Sequence, residues 1–271
     1  MPTLCVTGCS YSDRTRSTHC YGDFLSTYID WDYLHLAGGC GSNPRSFRLV
    51  TEALINEQLT SGDTVIFQVT DTTRRELMSN WLTYSTEGKQ YLDKSKADFA
   101  EIKNALSRKV SPQSPVADTN PHYDLVADEV YVTRFKMGSH GWQQSKEDTR
   151  FHELTEYYAV NDNLGSYHLY LELWKLAKLL EQSNIKLVLF WMYKEMKDEC
   201  LGKWSSQVDN IVPNQFILSE HWNIYRQPQY WFTPTNVYAL NPQEKDWAHF
   251  SVHGHMVVAE LLQKYLELLY A

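Results

Sequence analysis

The 271-residue sequence predicts an α/β protein: a three-layer α/β/α sandwich around a mainly parallel central sheet. Short apolar runs recur at 3–7, 64–70 and 186–192, of the kind that a parallel sheet buries on both faces. Between them lie segments with apolar residues at helical spacing, so strands and helices alternate along the chain. Length suits a single large domain, and 43% hydrophobic residues provide for a sizeable core.

Charge and cysteine usage narrow the function classes. A formal charge of -8 without a long basic cluster argues against a nucleic-acid partner, because phosphate binding needs concentrated Lys and Arg. No apolar run approaches membrane-spanning length, and no signal-peptide pattern precedes the first strand, so no membrane partner and a cytoplasmic location are expected. The five cysteines, at 5, 9, 20, 40 and 200, show no zinc-like pairing and fit free thiols in a reducing compartment.

In order, the first strand breaks at Gly8 and presents Ser10 at its carboxyl end, and a short helix is expected from Tyr21 to Tyr28. Asp32–Ala37 reads as the second strand and runs into the glycine turn Gly38–Gly41. A helix then opens with Asn43 as N-cap and Pro44 in the first helical position, with Phe47, Val50, Leu54 and Leu59 near one face. Thr64–Thr70 is a buried strand, and Arg74 and Arg75 stand at a solvated helix start or contact substrate. The stretch 81–163 is expected to be an insertion or lid, with one helix capped by Ser95 and Asp98 and loops at 111–121 and 138–142. Leu169, Leu173, Leu176 and Leu180 mark a helix over 166–182, before the strand 186–192. A long aromatic-rich loop is expected over 194–245, including His221–Phe232, whose rings either pack or form a sugar platform. Ser251 caps the last helix, which buries Val252, Met256, Ala259, Leu262 and Leu266.

A serine hydroxyl becomes a nucleophile when a positioned imidazole takes its proton. For Ser10, the segment Asp246-Trp-Ala-His249 before the last helix offers an imidazole and an orienting carboxylate, expected to share one loop. The glycine turn leaves backbone N–H groups available for a developing oxyanion. His249 and His253 have a spacing compatible with zinc, but Phe250 stands where the HExxH pattern has Glu and no third ligand is marked, so neither metal nor other cofactor is expected. Cys9, beside Ser10, points to the opposite face of the strand and is assigned to packing, while Asp13 pairs with a cation or caps the next helix.

These segments resemble the SGNH (GDSL-like) hydrolase superfamily, whose fold is the flavodoxin-like form of the α/β/α sandwich. Gly8-Cys9-Ser10 stands for the family's Gly-Asp-Ser block, and Asp246-Trp-Ala-His249 for its C-terminal DxxH block. The glycine turn matches the second block, and Gln68-Val-Thr70-Asp71 stands where the third has Gly-x-Asn-Asp. The resemblance implies a Ser10–His249–Asp246 triad. Its oxyanion hole would comprise the N–H groups of Ser10 and Gly41 and, in place of the family Asn, the Thr70 hydroxyl, with Asn43, Asp71 and Arg74 as substrate-binding candidates. The implied activity is hydrolysis of a small acyl ester through an acyl-enzyme, with O-acetyl on a carbohydrate favoured by the aromatic loop. The alternative is a catalytically silent carbohydrate-binding or structural module, suggested by the absence of Asp at position 9 and Asn at position 70.

Overall fold

The computed structural model describes residues 1–9, 11–13, 19–38, 42–70, 72, 74–79, 123–127, 130–136, 162–222, 231–232 and 246–271. The first elements are β1 (Thr3–Thr7), α1 (Tyr21–Ile29), β2 (Asp32–His35), α2 (Asn43–Ile55) and β3 (Thr64–Gln68). Next come β4 (Arg74–Ser79), β5 (Tyr123–Ala127) and β6 (Val130–Lys136). Alternation returns with α3 (Asp162–Gln182), β7 (Lys186–Trp191), α4 (Lys194–Leu201), α5 (Ser205–Ile211), β8 (Gln215–Ile217) and the single turn α6 (Leu218–His221). β9 (Trp231–Phe232), β10 (Asp246–Phe250) and α7 (Val252–Tyr270) follow.

The central sheet is entirely parallel, in the order β2-β1-β3-β7-β8. Alternate side chains along each strand supply two separate cores. Cys5, Val65, Phe67, Leu187 and Leu189 pack under α2, α3, α4 and α5. Leu4, Val6, Ile66, Val188 and Phe190 pack under α1 and α7 on the other face. The predicted three-layer sandwich is thus the observed one. After β1 the chain moves to one side for β2 and to the other for β3, so the carboxyl ends of β1 and β3 flank the crevice where open α/β sheets bind ligands.

Several local expectations change. The strands stop at His35, Gln68 and Trp191, short of the apolar runs that announce them. The N-cap of α2 is Ser42, whose hydroxyl accepts from Arg45 N–H at 3.3 Å, and Asn43 lies inside the helix. Arg74–Ser79 is not a helix start but β4, paired antiparallel with β6. β5 and β6, within the expected insertion, complete a three-stranded sheet ordered β4-β6-β5. Much of the expected loop after residue 194 is regular structure, including the edge strand β8, because elements of three to eight residues are too short to show a period. Val252 on α7 is exposed, and His255 and Val258 take buried positions. The helix expected near residue 95 and the loops at 111–121 and 138–142 lie outside the described residues. Among the described residues no helix is long and apolar enough to cross a membrane. Cys5, Cys9, Cys20 and Cys200 are buried and in no disulfide, and Cys40 lies outside the described residues.

At the edge of the sheet away from the crevice, the buried Asp63 carboxylate fastens two segments. It accepts Thr3 N–H at 2.6 Å and, through its other oxygen, Thr60 N–H at 2.6 Å. Asp63→Ala leaves both donors without an acceptor, so a loss of about 2–4 kcal/mol is expected. Urea unfolding measures it, and an unchanged midpoint would contradict the role given to this carboxylate.

Candidate active site

Where β1 ends, Gly8 has φ 145°, and a Cβ at this position would stand 2.5 Å from Gln68 Oε1. Both the backbone conformation and the approach of Gln68 require glycine here. Ser12 N–H then donates to Cys9 O at 2.9 Å, closing the four-residue turn 9–12. From β3, Gln68 Oε1 accepts the Cys9 N–H at 3.1 Å and the Ser12 hydroxyl at 2.7 Å. With its hydrogen committed to Gln68, Ser12 accepts the Tyr21 hydroxyl at 2.6 Å. Burial raises the Tyr21 pKa well above its ordinary value, keeping this donor protonated. Cys9 is buried against Gln68, consistent with a packing role.

The described residues on either side of 39–41 are anchored. Leu36 N–H donates to Val6 O at 2.8 Å, Gly38 N–H donates to Gly8 O at 3.3 Å, and Arg45 Nη1 donates to Leu36 O at 2.8 Å. Asn43 reaches across to the end of β3, where its Oδ1 accepts Thr70 N–H at 2.8 Å and its Nδ2 donates to Thr70 O at 2.8 Å. The Thr70 hydroxyl also donates to Asn43 Oδ1, at 3.3 Å. In this pairing the Thr70 hydroxyl hydrogen is directed at Asn43, and the Asn43 carboxamide ties α2 to the sheet.

The two chain ends meet at Tyr11, just beyond the end of β1. The rings of Tyr11 and His249 stack with centroids 5.9 Å apart, and Tyr11 also meets Phe250 at 5.8 Å. Phe250 in turn packs on Trp222 at 6.2 Å and His255 at 5.4 Å, so Trp222 belongs to the packing beneath the site. Ser251 caps α7 as expected, accepting Gly254 N–H at 3.1 Å. Asp246 and His249 lie on β10 rather than in a loop, because β10 pairs with β9. A regular strand would send residues three apart to opposite faces, but the pairing register shifts between Asp246 and Phe250 and interrupts that alternation. The zinc spacing of His249 and His253 also dissolves, since the former is on β10 and the latter on α7.

Two histidines in this region, the buried His255 and the partly buried His35, have opposite electrostatics. His255 Nδ1 accepts Tyr21 N–H at 3.2 Å, so it helps cap α1 in a neutral state. Burial lowers its pKa to about 3, with Asp23 opposing and His249 adding to the shift. His35 Nε2 lies 3.1 Å from Asp13 Oδ1, and its Nδ1 is 2.8 Å from the Tyr33 hydroxyl. Burial opposes a charge on His35, but the Cys20 sulfur and the Asp13 carboxylate outweigh it and raise the pKa to about 9. Of the two readings of Asp13, pairing with a cation is the one realised.

Of the sequence-derived site, the structure describes His249, Thr70 and Asn43 with their side chains, and Asp246 and Arg74 as backbone in β10 and β4. Ser10, Gly41 and Asp71 lie outside the described residues. Sequence reasoning missed Gln68 and His35. Each had a faint signal, as a polar residue ending an otherwise apolar strand. Comparison of the sequence with protein-family models and with curated proteins gives no match.

The two histidines predict a stability optimum near neutrality. Between pH 6.5 and about 9 the folded chain holds a proton on His35 that the unfolded chain has released, so stability falls as pH rises through this window, by up to about 3 kcal/mol. Below pH 6.5 the unfolded chain protonates the residue-255 imidazole while the folded chain refuses the proton until about pH 3, so stability falls on acidification. Urea unfolding between pH 4 and 10 tests both limbs. Asp13→Asn should flatten the alkaline limb, and a variant as steep as the parent would contradict the His35 assignment.

Proposed function

We propose that the protein is a serine hydrolase of the SGNH type that cleaves a small acyl ester, with O-acetylated carbohydrate as the favoured substrate class. The observation that carries this reading is the stacking of His249 on Tyr11, the chain neighbour of Ser10, at the carboxyl edge of β1. Residues separated by most of the chain meet where the fold binds ligands. In the mechanism, His249 takes the Ser10 proton as Oγ attacks the ester carbonyl, and returns it to the alcohol as the carbon–oxygen bond breaks. Water then hydrolyses the acyl-serine with His249 again as base. Asp246 orients the imidazole and stabilises its charged form. The N–H groups of Ser10 and Gly41 receive the oxyanion, without the side-chain donor that the family takes from its third block.

A groove of about 610 Å³ between α2 and α3 supports a small substrate. Asn43, Thr72, Phe47 and Leu169 line it together with the charged Arg48 and Glu172. That mixture suits an acyl group joined to a hydroxyl-rich alcohol. The silent-module reading rests on one observation, the engagement of the Thr70 hydroxyl by Asn43, since loss of an oxyanion donor costs about a hundred- to a thousand-fold in rate.

Hydrolysis of p-nitrophenyl acyl esters and of O-acetylated sugars separates the two. The enzyme reading expects turnover that favours short acyl chains. Ser10→Ala and His249→Ala should each lose about as much rate as the other, because members of a catalytic unit are not additive, while His253→Ala keeps most of it. Folded protein without turnover on any of these esters, together with glycan binding, would establish the module instead.

A further inference from the structure

The buried carboxamide of Gln68 has a use beyond packing. Its Oε1 stands between two donors of one turn, the Cys9 N–H at 3.1 Å and the Ser12 hydroxyl at 2.7 Å, on either side of the residue proposed as nucleophile. Its Nε2 faces Cys9 Sγ at 3.4 Å. The direction of each bond is fixed, because a backbone N–H can only donate, and Ser12 accepts from Tyr21 while donating to Gln68. Gly8 supplies the room, since a Cβ there would collide with the same carboxamide. Tyr21 is itself anchored through its N–H to His255 Nδ1, and His255 packs on Phe250 beside His249. One connected set of contacts therefore runs from β3 through the turn to the segment that bears the proposed base.

We propose that Gln68 is a positioning residue for Ser10: its carboxamide sets the geometry of the turn 9–12 and thereby the approach of the serine hydroxyl to His249. The proposal rests on the serine-hydrolase reading and deepens it. In this role Gln68 transfers no proton. It acts by holding both ends of a short turn, and a misplacement of about 1 Å at a reacting group costs on the order of a hundred-fold in rate. At the position where the family block begins with glycine, this chain places a side chain that fixes its own nucleophile turn.

The test uses a fluorophosphonate probe, which reports serine reactivity independently of the natural ester: the Oγ–P bond forms as the P–F bond breaks, and the proton passes to His249. The wild-type protein should be labelled on Ser10. Gln68→Met, which removes the acceptor while keeping much of the volume, should label ten- to a hundred-fold more slowly and lower kcat by a similar factor with KM within about two-fold. Amide exchange at Cys9 should quicken in the same variant. Gln68→Glu, which keeps an acceptor facing both donors, should recover most of the labelling rate. If Gln68→Met does not fold, Gln68→Asn, one methylene too short to reach both donors, serves in its place. A folded Gln68→Met protein labelled at the wild-type rate, a loss confined to KM, or a Gln68→Glu protein as slow as Gln68→Met would each overturn the positioning role while leaving the hydrolase reading intact. Absence of labelling in the wild type would overturn both.

Discussion

Gln68 ends an apolar strand at the centre of the sheet, and its side chain, fully buried, has hydrogen-bonding capacity to satisfy. Among the described residues the turn after β1 offers the donors to its oxygen, and that turn is available because Gly8 leaves room for it. A buried amide without partners would cost free energy, so the strand end and the turn have to stay together. The rest of the crevice is built outward from this contact. Ser12 passes it to Tyr21, Tyr21 passes it to His255, and the aromatic rings of Phe250 and Tyr11 bring His249 to the same edge.

Electrostatics follow from the same arrangement. His255 lies deep enough to remain neutral and so can accept a backbone N–H at the start of α1, which a charged imidazole cannot do. His35, on β2, has the opposite fate because the Cys20 sulfur and the Asp13 carboxylate stand against it. The turn 9–12 is therefore tied to β3 by neutral hydrogen bonds, and Asp13, the next residue, is tied to β2 through an ion pair. The hydrogen bonds to Gln68 are buried and the ion pair is partly buried, so salt screens both less than a surface pair.

The layered fold was legible because parallel strands buried on both faces leave continuous apolar runs, and long amphipathic helices such as α3 repeat their leucines over several turns. The Ser251 cap was legible for a local reason, a hydroxyl ahead of an apolar stripe. What failed did so where local preference and tertiary pairing compete. Arg74–Ser79 is rich in helix formers, yet its pairing with β6 makes it a strand. Asn43 has the side chain of an N-cap, but two bonds to the Thr70 backbone draw it inward and Ser42 takes the capping position. The roles of Gln68 and His35 depend on partners 59 and 22 residues away, and no periodicity records such partners. The motif residues Ser10, Asp246 and His249 stood out because the chemistry of a triad demands those side chains; the contact that brings His249 to the serine turn was not written in the sequence.

In the proposed reaction Ser10 forms a covalent acyl intermediate with His249 as its base. Peptide mapping after acid quench of the protein mixed with a p-nitrophenyl acyl ester tests it most directly. An acyl group is expected on the peptide containing Ser10, formed within the first turnover and absent from both Ser10→Ala and His249→Ala. Ester hydrolysis with no acyl group on that peptide, or with the acyl group on Cys9 or another side chain, would contradict it.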